Sequence, residues 1–481
     1  NYAGTNTQMP YKGLFGYVNG SGSKHAVIQN LTVQGSVVLT SNKNVSAAYS
    51  GGVIGRAEYA DITNVHSEVN VTVNRVGGNW DNLGGLVGYA NNSTTIKDCS
   101  NSGDINGYRY AGGITGNITN NSSVINCTNT GNVTSAGSGA AGMAANVGSN
   151  CTITGCANSG VIKSSGANVG GIAGDVAKAT ISNCYNSGKI ECSQSTSGAV
   201  AGRVAAGAVI KNSYYAKETA AKGVGSAADA ENQTAETSDI VARVVAPESA
   251  ETGKDVTFSI YMNAANGLAC AEMKLDVTGG KITAIKQGSG LALDKGKFVG
   301  ENSKLSFVGN TASVANGILV ATVTVRVDDF ADEVKLSVSD ALAGISGDTK
   351  DKTAAVINAD AVAVDKVYTV SKTEFAPGLY LVTYIKAVPE GKSITCNGEG
   401  MLLADGNKTV TLMSGDKADA LKNSSFAVSD DAAVAVKYGD VNENSKINIV
   451  DAQIALDVGK GIYKGSDKVS VAGLLAADVN H

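Results

Sequence analysis

Two short words that recur at a fixed spacing constrain this chain more than any other feature of its sequence. The first is a glycine-framed apolar word such as Gly-Gly-Leu-Val-Gly, which ends at Gly88, Gly116, Gly174 and Gly202. The second reads apolar-x-x-Cys-x-Asn, and its cysteines lie 28, 29 and 28 residues apart, at Cys99, Cys127, Cys156 and Cys184. A fixed period in this range indicates a solenoid, in which each unit buries its apolar side against its neighbours.

Both words are short, apolar at alternate positions and bounded by Gly, Asn and Ser, which is typical of strands. Short strands at this period predict a right-handed parallel β-helix with coils about 4.8 Å apart. Equivalent side chains then form ladders, with Ile96, Val124, Ile153 and Ile181 inside and Asn101, Asn129, Asn158 and Asn186 at the bend. The asparagines are expected to pair amide to amide, and positive φ is expected at Gly103, Gly131, Gly160 and Gly188.

Degenerate copies extend the repeats in both directions. Gly16 and Gly55 end copies of the first word, while Leu31, Val65 and Ser213 take the cysteine's place in the second. Seven coils are therefore expected within residues 1–216. The words resemble the GLUG-type repeats of bacterial surface and secreted proteins. This resemblance implies an adhesin-like stalk that faces a polysaccharide, a host glycan or another cell.

The charge of the chain excludes some partners. A net charge of −5 does not indicate the basic surface that nucleic-acid binding requires, so nucleic acid is not an expected partner. No run of residues has the apolar length of a membrane span. The chain lacks an initial methionine and stops inside a motif, so we expect a fragment of a longer protein, for which a missing export signal is uninformative.

The cysteines do not predict disulfides or zinc. Side chains in a parallel ladder point the same way, which strains a disulfide, so the four ladder cysteines are expected to be buried free thiols. The other four are scattered and show no metal-ligand spacing: Cys151, Cys192, Cys270 and Cys396.

Three further segments follow the repeats. Residues 217–238 are rich in Ala, Glu, Thr, Gly and Lys, which predicts a linker. Residues 239–364 alternate short strands with polar turns, which predicts a β-sandwich with strands near 240–245, 256–260, 273–275, 305–308, 318–327 and 334–338. Residues 365–436 alternate apolar and polar positions and predict a small antiparallel β module with its own core.

The predicted sandwich resembles a cohesin. The resemblance rests on an opening strand, a Gly-Lys-Asp-Val turn at 253–256, a Gly-Leu-Ala segment before Met273, and a late strand at 319–327. The chain has Asp276-Val277-Thr278-Gly279-Gly280 where cohesins usually carry Tyr-Asp-Pro-x-x-Leu. The resemblance implies a domain that captures dockerins. The alternative is a generic sandwich that acts as a spacer or a carbohydrate-binding-like module.

Residues 440–451 carry the clearest chemical motif of the chain. Ca²⁺ takes about six to eight hard oxygen ligands, and a loop of this length can wrap them around the ion. Oxygen side chains stand at loop positions 1, 3, 5, 9 and 12, and position 7 offers its backbone carbonyl. The predicted Ca²⁺ ligands are Asp440, Asn442, Asn444, Lys446, Asn448 and Asp451. Because only two of them are charged, the expected affinity is modest and suits extracellular calcium.

This loop resembles the first half of a type I dockerin, the module that docks onto cohesins. The resemblance implies a helical module at 437–481, with a helix at 452–460 after the loop. Asp478 and Asn480 restart the pattern 38 residues after Asp440, so a second, truncated calcium loop is expected. Dockerins contact the cohesin through loop positions 10 and 11. These positions hold Ile449 and Val450, which implies an apolar docking patch.

The sequence offers little for catalysis. The spacing of His25 and His66 suggests no Ser or Asp partner, so a catalytic triad is unsupported. Glycan hydrolysis needs clustered carboxylates, whereas the acidic residues of the repeats fall at different registers: Asp61, Asp98, Asp104, Asp175 and Glu191. Trp80 either stacks on a sugar or anchors a loop.

Together these features predict a non-catalytic, extracellular, multidomain bacterial protein. A glycan- or cell-binding β-helix leads, and a calcium-dependent dockerin docks the chain onto a cohesin-bearing scaffold or cell surface during polysaccharide degradation. One alternative is the accessory half of a secreted glycoside hydrolase or peptidase whose catalytic domain lies outside this chain. The other is a scaffold-like adaptor whose sandwich binds other dockerins.

Overall fold

The computed structural model describes residues 2–4, 11–41, 47–75, 80–229, 233–264, 267–301, 303–312, 317–328, 331–345, 352–366, 368–370, 379–386, 388, 392–396, 399–404, 408–414 and 426–429. Across these residues the regular structure consists of strands, without helices. The mainly β fold is therefore confirmed for the described part of the chain. The predicted calcium-loop module at 437–481 and its helix lie outside the described residues.

Residues 11–237 wind through three parallel sheets in a repeating order, and we call this unit the coil stack. In each coil the chain passes through sheet 2, then sheet 3, then sheet 1. Strands of successive coils pair in parallel, as in the ladder from Ile96 through Val124 and Ile153 to Ile181. Parallel sheets that the chain visits once per coil are the arrangement expected of a parallel β-helix.

The strand bounds follow the repeat words. Among the described residues, sheet 2 has 7 strands: Tyr11–Lys12, Ala47–Gly51, Trp80–Gly84, Ala111–Gly112, Ala140–Ala141, Val169–Gly170 and Ser197–Gly198. Sheet 3 has 8 in the same described part: Phe15–Asn19, Ile54–Glu58, Val87–Asn91, Thr115–Ile118, Ala144–Val147, Ala173–Val176, Ala201–Val204 and Val224–Ala227.

Sheet 1 is the largest sheet and changes character along the stack. It has 17 strands within the described ranges: Tyr2–Gly4, Ala26–Ser41, Ala60–Arg75, Thr95–Lys97, Ser100–Asn101, Ile105–Gly107, Ser123–Ile125, Thr128–Asn129, Val133–Ser135, Thr152–Thr154, Ala157–Asn158, Ile162–Ser164, Thr180–Ser182, Tyr185–Asn186, Ile190–Glu191, Val209–Tyr215 and Gln233–Thr237. The early coils contribute single strands of 16 residues. The next coil contributes three short strands, Thr95–Lys97, Ser100–Asn101 and Ile105–Gly107, which all pair with the long strand Ala60–Arg75.

The asparagine ladder is confirmed and lies inside the stack. Asn101 Nδ2 donates to Asn129 Oδ1 over 2.9 Å, and Asn129 and Asn158 each donate to the next asparagine over 2.8 Å. The second amide hydrogen bonds a backbone carbonyl of its own coil, as from Asn129 to Gly131 over 2.8 Å. All four side chains are fully buried, so the ladder supplies the partners that buried amides need.

The two repeat words meet across the interior. A Cβ added at Gly113 would collide with the carboxamide of Asn129, and the same holds for Gly142 against Asn158. Glycine at this position therefore makes room for the ladder. This contact explains why the glycine word and the asparagine word recur together in each coil.

The expectation of positive φ at the ladder glycines is wrong. The structure records no positive φ at Gly131, which instead lies so close to the Gly103 carbonyl of the previous coil that a Cβ would not fit. Positive φ occurs one residue before the cysteine position, with φ of 52° at Asp98, 51° at Asn126 and 65° at Gly155. Asn, Asp and Gly tolerate this conformation, so they occupy the turn.

The apolar ladder fills the space beside the asparagines. Ile96, Val124, Ile153 and Ile181 are fully buried and pack with the cysteines Cys99, Cys127, Cys156 and Cys184. All 8 cysteines are free, and the four ladder cysteines are buried, as expected of them. Burial raises the pKa of the Cys127 and Cys184 thiols well above the ordinary value, so these thiols behave as small apolar groups.

Residues 217–238, for which a linker was predicted, contain two strands that continue the stack. Val224–Ala227 pairs in parallel with Ala201–Val204, and Gln233–Thr237 pairs in parallel with Val209–Tyr215. Their small residues fit because the last coil offers unpaired backbone groups that any sequence without proline can satisfy. Tyr215 packs against the end of the stack core.

Residues 240–365 form the predicted two-sheet sandwich. One sheet has 5 strands in the described part of the chain: Gly280–Gln287, Ile318–Val327, Asp255–Ala264, Ile240–Val245 and Ala355–Ile357. The other has 7 there: Ala250–Glu251, Val362–Asp365, Glu333–Gly344, Cys270–Thr278, Lys304–Asn310, Leu293–Glu301 and Lys352–Thr353. Their inward apolar side chains, led by Phe258 and Phe307, make one core. Sequence reasoning missed Gly280–Gln287 and Leu293–Glu301, whose Gly and Lys content resembles a turn.

The small module lies next to the sandwich. Its described strands form a 4-stranded sheet, Tyr368–Val370, Leu379–Tyr384, Lys408–Ser414 and Leu402–Ala404, and a 3-stranded sheet, Glu399–Gly400, Ser393–Cys396 and Phe426–Ser429. A compact core contains Tyr368, Val382, Ile394 and Met401. Lys386 Nζ lies 2.8 Å from Asp365 Oδ2 and 3.4 Å from Glu251 Oε2, which ties the module to the sandwich.

The asparagine ladder yields a stability prediction. Asn129→Ala leaves the Asn101 amide and the Asn158 carbonyl oxygen without their ladder partner, so the coil stack should lose about 3 kcal/mol of unfolding free energy. Exposed Asn106 on the adjoining strand is the matched control, and Asn106→Ala should change stability by less than about 0.5 kcal/mol. Hydrogen exchange of the buried amides at 95–190 measures the difference. Equal protection in the two variants would contradict a stabilising ladder.

Candidate functional site

The residues predicted to bind calcium and cohesin lie outside the described residues. They are Asp440, Asn442, Asn444, Lys446, Asn448, Asp451, Asp478, Asn480, Ile449 and Val450. Within the described ranges, no group of three or more His, Cys, Asp or Glu side chains is placed to hold a metal ion. These ranges also contain no helix with the length and apolarity of a membrane span.

Coil stacking gives both described histidines partners that spacing did not suggest. His25 Nδ1 lies 2.9 Å from Asp61 Oδ1. His66 Nδ1 lies 2.8 Å from Ser100 Oγ, and its Nε2 lies 3.0 Å from Asn64 Oδ1. Residues 34 apart in sequence are neighbours when they stand in successive coils.

The acidic residues of the stack each have their own neighbour. Asp175 Oδ2 pairs with Arg203 Nη2 over 2.7 Å, and Glu191 lies 3.5 Å from Lys163 Nζ and 3.4 Å from Lys189 Nζ. Asp104 accepts a hydrogen bond from the Asn132 backbone over 2.8 Å. The Asp175–Arg203, Glu191–Lys163 and Asp104–Asn132 contacts join neighbouring coils.

A row of outward side chains on sheet 3 forms the most distinctive surface of the coil stack. Each member stands in register with the next coil, so the row rises along the stack. We call it the sheet 3 row, and it consists of Tyr17, Arg56, Tyr89, Asn117, Asn146, Asp175 and Arg203. The row is aromatic at its beginning and becomes amide-bearing and then charged.

The aromatic end of this row joins a second pair of tyrosines from sheet 2. Tyr11 and Tyr49 stand in register there, with ring centroids 5.5 Å apart. Tyr49 lies 5.4 Å from Tyr89, and Tyr11 lies 5.5 Å from Tyr17. Four rings therefore form a continuous aromatic patch across two sheets.

Arg56 stands in the middle of these rings. Its Cζ lies 5.7 Å from the ring centroids of Tyr11 and Tyr17, 6.0 Å from that of Tyr49 and 5.3 Å from that of Tyr89. Distances below about 6 Å are those of cation–π contacts. We call Arg56 and the four tyrosines the tyrosine–arginine cluster. Tyr17 is 46% exposed, so the patch faces solvent.

Glu58 fixes the orientation of Arg56. The guanidinium donates to Glu58 Oε1, with Nε at 2.8 Å, and Nη1 donates to Tyr11 Oη over 3.2 Å. Burial alone would raise the pKa of Glu58, but hydrogen bonds from Arg56, Asn91 and Tyr17 outweigh it and lower the pKa. Burial, with the hydrogen bond to Glu58, raises the pKa of Tyr17, so the phenol stays a donor.

Sequence reasoning did not single out this cluster, although a signal was present. Tyr17, Arg56 and Tyr89 each directly follow the last glycine of the first repeat word. The position after that glycine points outward in every coil. Reading the repeats by this position, rather than by their apolar letters, would have found the row.

The cluster combines aromatic faces with charged and amide groups. Tyrosine rings offer flat apolar faces, and the buried Glu58 accepts hydrogen bonds from Arg56 and from the amides of Asn91 and Asn92. Ligand sites commonly combine aromatic faces with a few fixed polar groups in this way.

Comparisons with known proteins find one matching family model and several similar solved structures. A family model described as the GLUG motif matches residues 46–72, 82–106 and 107–134, all in the coil stack. No curated protein matches the chain. GLUG motif repeats are therefore shown in this unit.

Several solved cohesins are similar to the chain. A non-cellulosomal cohesin from Archaeoglobus fulgidus is 14% identical, with a TM-score of 0.23, covering 27% of this chain and 92% of that one. A cohesin module from a Clostridium perfringens family 33 glycoside hydrolase is 13% identical, with a TM-score of 0.22 and coverages of 27% and 99%. The type II cohesin dyad of an Acetivibrio cellulolyticus adaptor scaffoldin is 15% identical, with a TM-score of 0.21 and coverages of 33% and 60%. TM-scores this low carry no argument about function.

The lowered pKa of Glu58 predicts how the coil stack responds to acid. A carboxyl whose pKa is lower in the folded than in the unfolded chain adds stability above its unfolded pKa, and this stability is lost as pH falls through the folded pKa. Glu58→Gln should therefore reduce the melting temperature at pH 7 and flatten its decline between about pH 5 and pH 3. Thermal unfolding at several pH values measures both effects.

Glu68→Gln is the control for this experiment, since Glu68 is exposed on the same coil and accepts a hydrogen bond from Gln34 over 2.7 Å. It should leave the acid limb of the melting curve unchanged. Parallel acid limbs for the wild type and Glu58→Gln would show that the Arg56 pair does not stabilise the stack.

Proposed function

We propose that this chain is a non-catalytic extracellular protein that binds glycan through the tyrosine–arginine cluster and docks onto a cohesin-bearing partner through its calcium-loop tail. The observation that carries the binding part is the patch of four tyrosine rings around Arg56. The GLUG repeats fit a surface or secreted protein.

The arrangement of the cluster suits an extended polysaccharide. The sheet 3 row continues past the rings through Asn117 and Asn146, whose amides are joined by a hydrogen bond of 2.9 Å, to the Asp175–Arg203 pair. Coils repeat about every 4.8 Å, so the row offers sugar units a series of hydrogen-bonding groups beyond the aromatic patch. A chain of sugars laid along the stack would stack on the tyrosines and bond the amides.

Docking through the tail rests on the chemistry of the donor set. Carboxylate, amide and carbonyl oxygens at the spacing of 440–451 fit Ca²⁺, which prefers hard oxygen ligands in a flexible loop. Asp440 and Asp451 would supply the charge. When bound, the ion would order the loop and present Ile449 and Val450 to the partner.

Glycan binding is tested with soluble polysaccharides in affinity gel electrophoresis, using xylan, arabinogalactan and mucin glycans as probes. The chain should be retarded by at least one of them. Removing two of the rings in Tyr49→Ala/Tyr89→Ala should weaken binding about thirtyfold, because each ring contributes roughly 1 kcal/mol. Tyr108→Ala, a half-buried tyrosine outside the cluster, should bind normally.

Unaltered mobility of the wild type in all three polysaccharides would reject these glycans as ligands of the cluster. Normal binding by the double variant would remove the cluster from the site. Circular dichroism of each variant separates lost binding from lost fold.

Calcium docking is tested by titrating CaCl2 into the chain in a calorimeter. The wild type should release heat, and Asp440→Ala should abolish it because it removes one of two charged ligands. Glu443→Ala, at a loop position without a predicted ligand, should bind as the wild type does. A cohesin should capture the wild type and Glu443→Ala but not Asp440→Ala. Capture should be lost in EDTA. Capture that persists in EDTA would contradict a calcium-dependent tail.

A further inference from the structure

A cavity of about 380 Å³ lies between the coil stack and the sandwich. One wall is the outward face of sheet 1, where Asn64, His66, Ser100 and Thr128 line the space. Arg243 and Tyr261 of the sandwich form the opposite wall. The volume is in the range of small-molecule sites, which often lie at domain interfaces.

The two units are held together around this cavity. Tyr185 Oη donates to the Asp239 carbonyl over 3.2 Å, and Tyr185, Val241 and Ile357 share a buried apolar cluster. Lys97 of the stack also pairs with Glu248 of the sandwich. The cavity walls therefore belong to one assembled surface.

The stack wall is a row of hydrogen-bonding groups set by coil register. His66 stands opposite Ser100 in the next coil, and Ser100 stands opposite Thr128 in the one after. The His66 ring is oriented by Ser100 at 2.8 Å and by Asn64 at 3.0 Å. The row presents hydroxyl, imidazole and amide groups at intervals of about 4.8 Å.

Arg243 provides the charge in this cavity. Its Nη1 donates to Asn126 Oδ1 over 3.0 Å, and its Cζ lies 5.1 Å from the Tyr261 ring centroid. Among the described residues, no carboxylate lies within ion-pairing distance of the guanidinium. Burial lowers the pKa of Arg243, because the cost of desolvating the cation outweighs the attraction of neighbouring groups that include Cys156, Tyr261 and Asp98. An anchor for the interface alone would not need a positive charge.

Asp98 limits which anion the cavity accepts. It lines the same space, and its carboxylate lies 3.9 Å from Lys97 Nζ. A ligand with a single negative charge can place it at Arg243, away from Asp98. A dianion would face repulsion from this carboxylate.

We propose that this cavity binds a small monoanion that carries one carboxylate and several hydroxyls, of which a hexuronic acid is the simplest example. The carboxylate accepts hydrogen bonds from the Arg243 guanidinium, whose planar fork matches that group. The hydroxyls exchange hydrogen bonds with Ser100, Thr128 and Asn64. This site is separate from the tyrosine–arginine cluster, which lies on sheets 2 and 3, and does not depend on it.

Calorimetric titration of the full chain with D-galacturonate, D-galactose and inorganic phosphate tests the proposal. Galacturonate should bind at least tenfold more tightly than galactose, which lacks the carboxylate, and than phosphate, which Asp98 repels. Arg243→Gln should weaken galacturonate binding at least tenfold. Lys163 is an exposed cation on sheet 1 of the coil stack, and Lys163→Gln should leave galacturonate binding unchanged.

Because Arg243→Gln also removes an interface contact, Ser100→Ala provides a second test on the stack wall. It should weaken galacturonate binding several-fold while both units remain folded by circular dichroism. No binding of galacturonate to the wild type would overturn the proposal. So would equal affinity for galactose, or full affinity in both Arg243→Gln and Ser100→Ala.

Discussion

The close contact between a buried asparagine and a glycine of the same coil is the constraint on which the coil stack depends. Asn129 fits inside only because Gly113 has no side chain, and its amide then bonds the asparagines above and below it. A buried amide without partners would destabilise the core, whereas a continuous ladder satisfies each one. The ladder also fixes the register of the four coils that contain it. The apolar ladder and the free thiols fill the remaining volume around it.

Because the register of the coils is fixed inside the stack, side chains on its outer faces also line up from coil to coil. Residues 28 to 34 apart in sequence become neighbours across adjacent strands, which produces rows such as His66 and Ser100 on sheet 1. The same principle gathers Arg56 and the tyrosines on sheets 2 and 3. Both rows combine groups that no single coil contains. The proposed glycan surface and the proposed anion cavity therefore arise from one packing rule.

The sandwich contributes a cation, Arg243, beside sheet 1 of the coil stack. Its first strand, Ile240–Val245, follows the last coil directly and carries Arg243 against the outward face of sheet 1. The stack offers hydroxyl and amide groups there, and the sandwich adds the positive charge. Lys386 then links the small module to the same sandwich, so the three units follow one another through specific contacts.

The sequence alone determined the strand-rich coils, the inward ladders and the sandwich, because apolar periodicity and the Gly, Asn and Cys words encode them locally. It also supplies the donor set of the calcium loop at 440–451, which remains a prediction. Only the tertiary structure decided where positive φ falls, since Gly131 is required by the approach of the previous coil and Asn126 makes the turn. It likewise decided that 217–238 continues the stack and that four tyrosines surround Arg56. These features depend on contacts between residues far apart in sequence, whose partners are set by coil register and domain packing rather than by any local pattern.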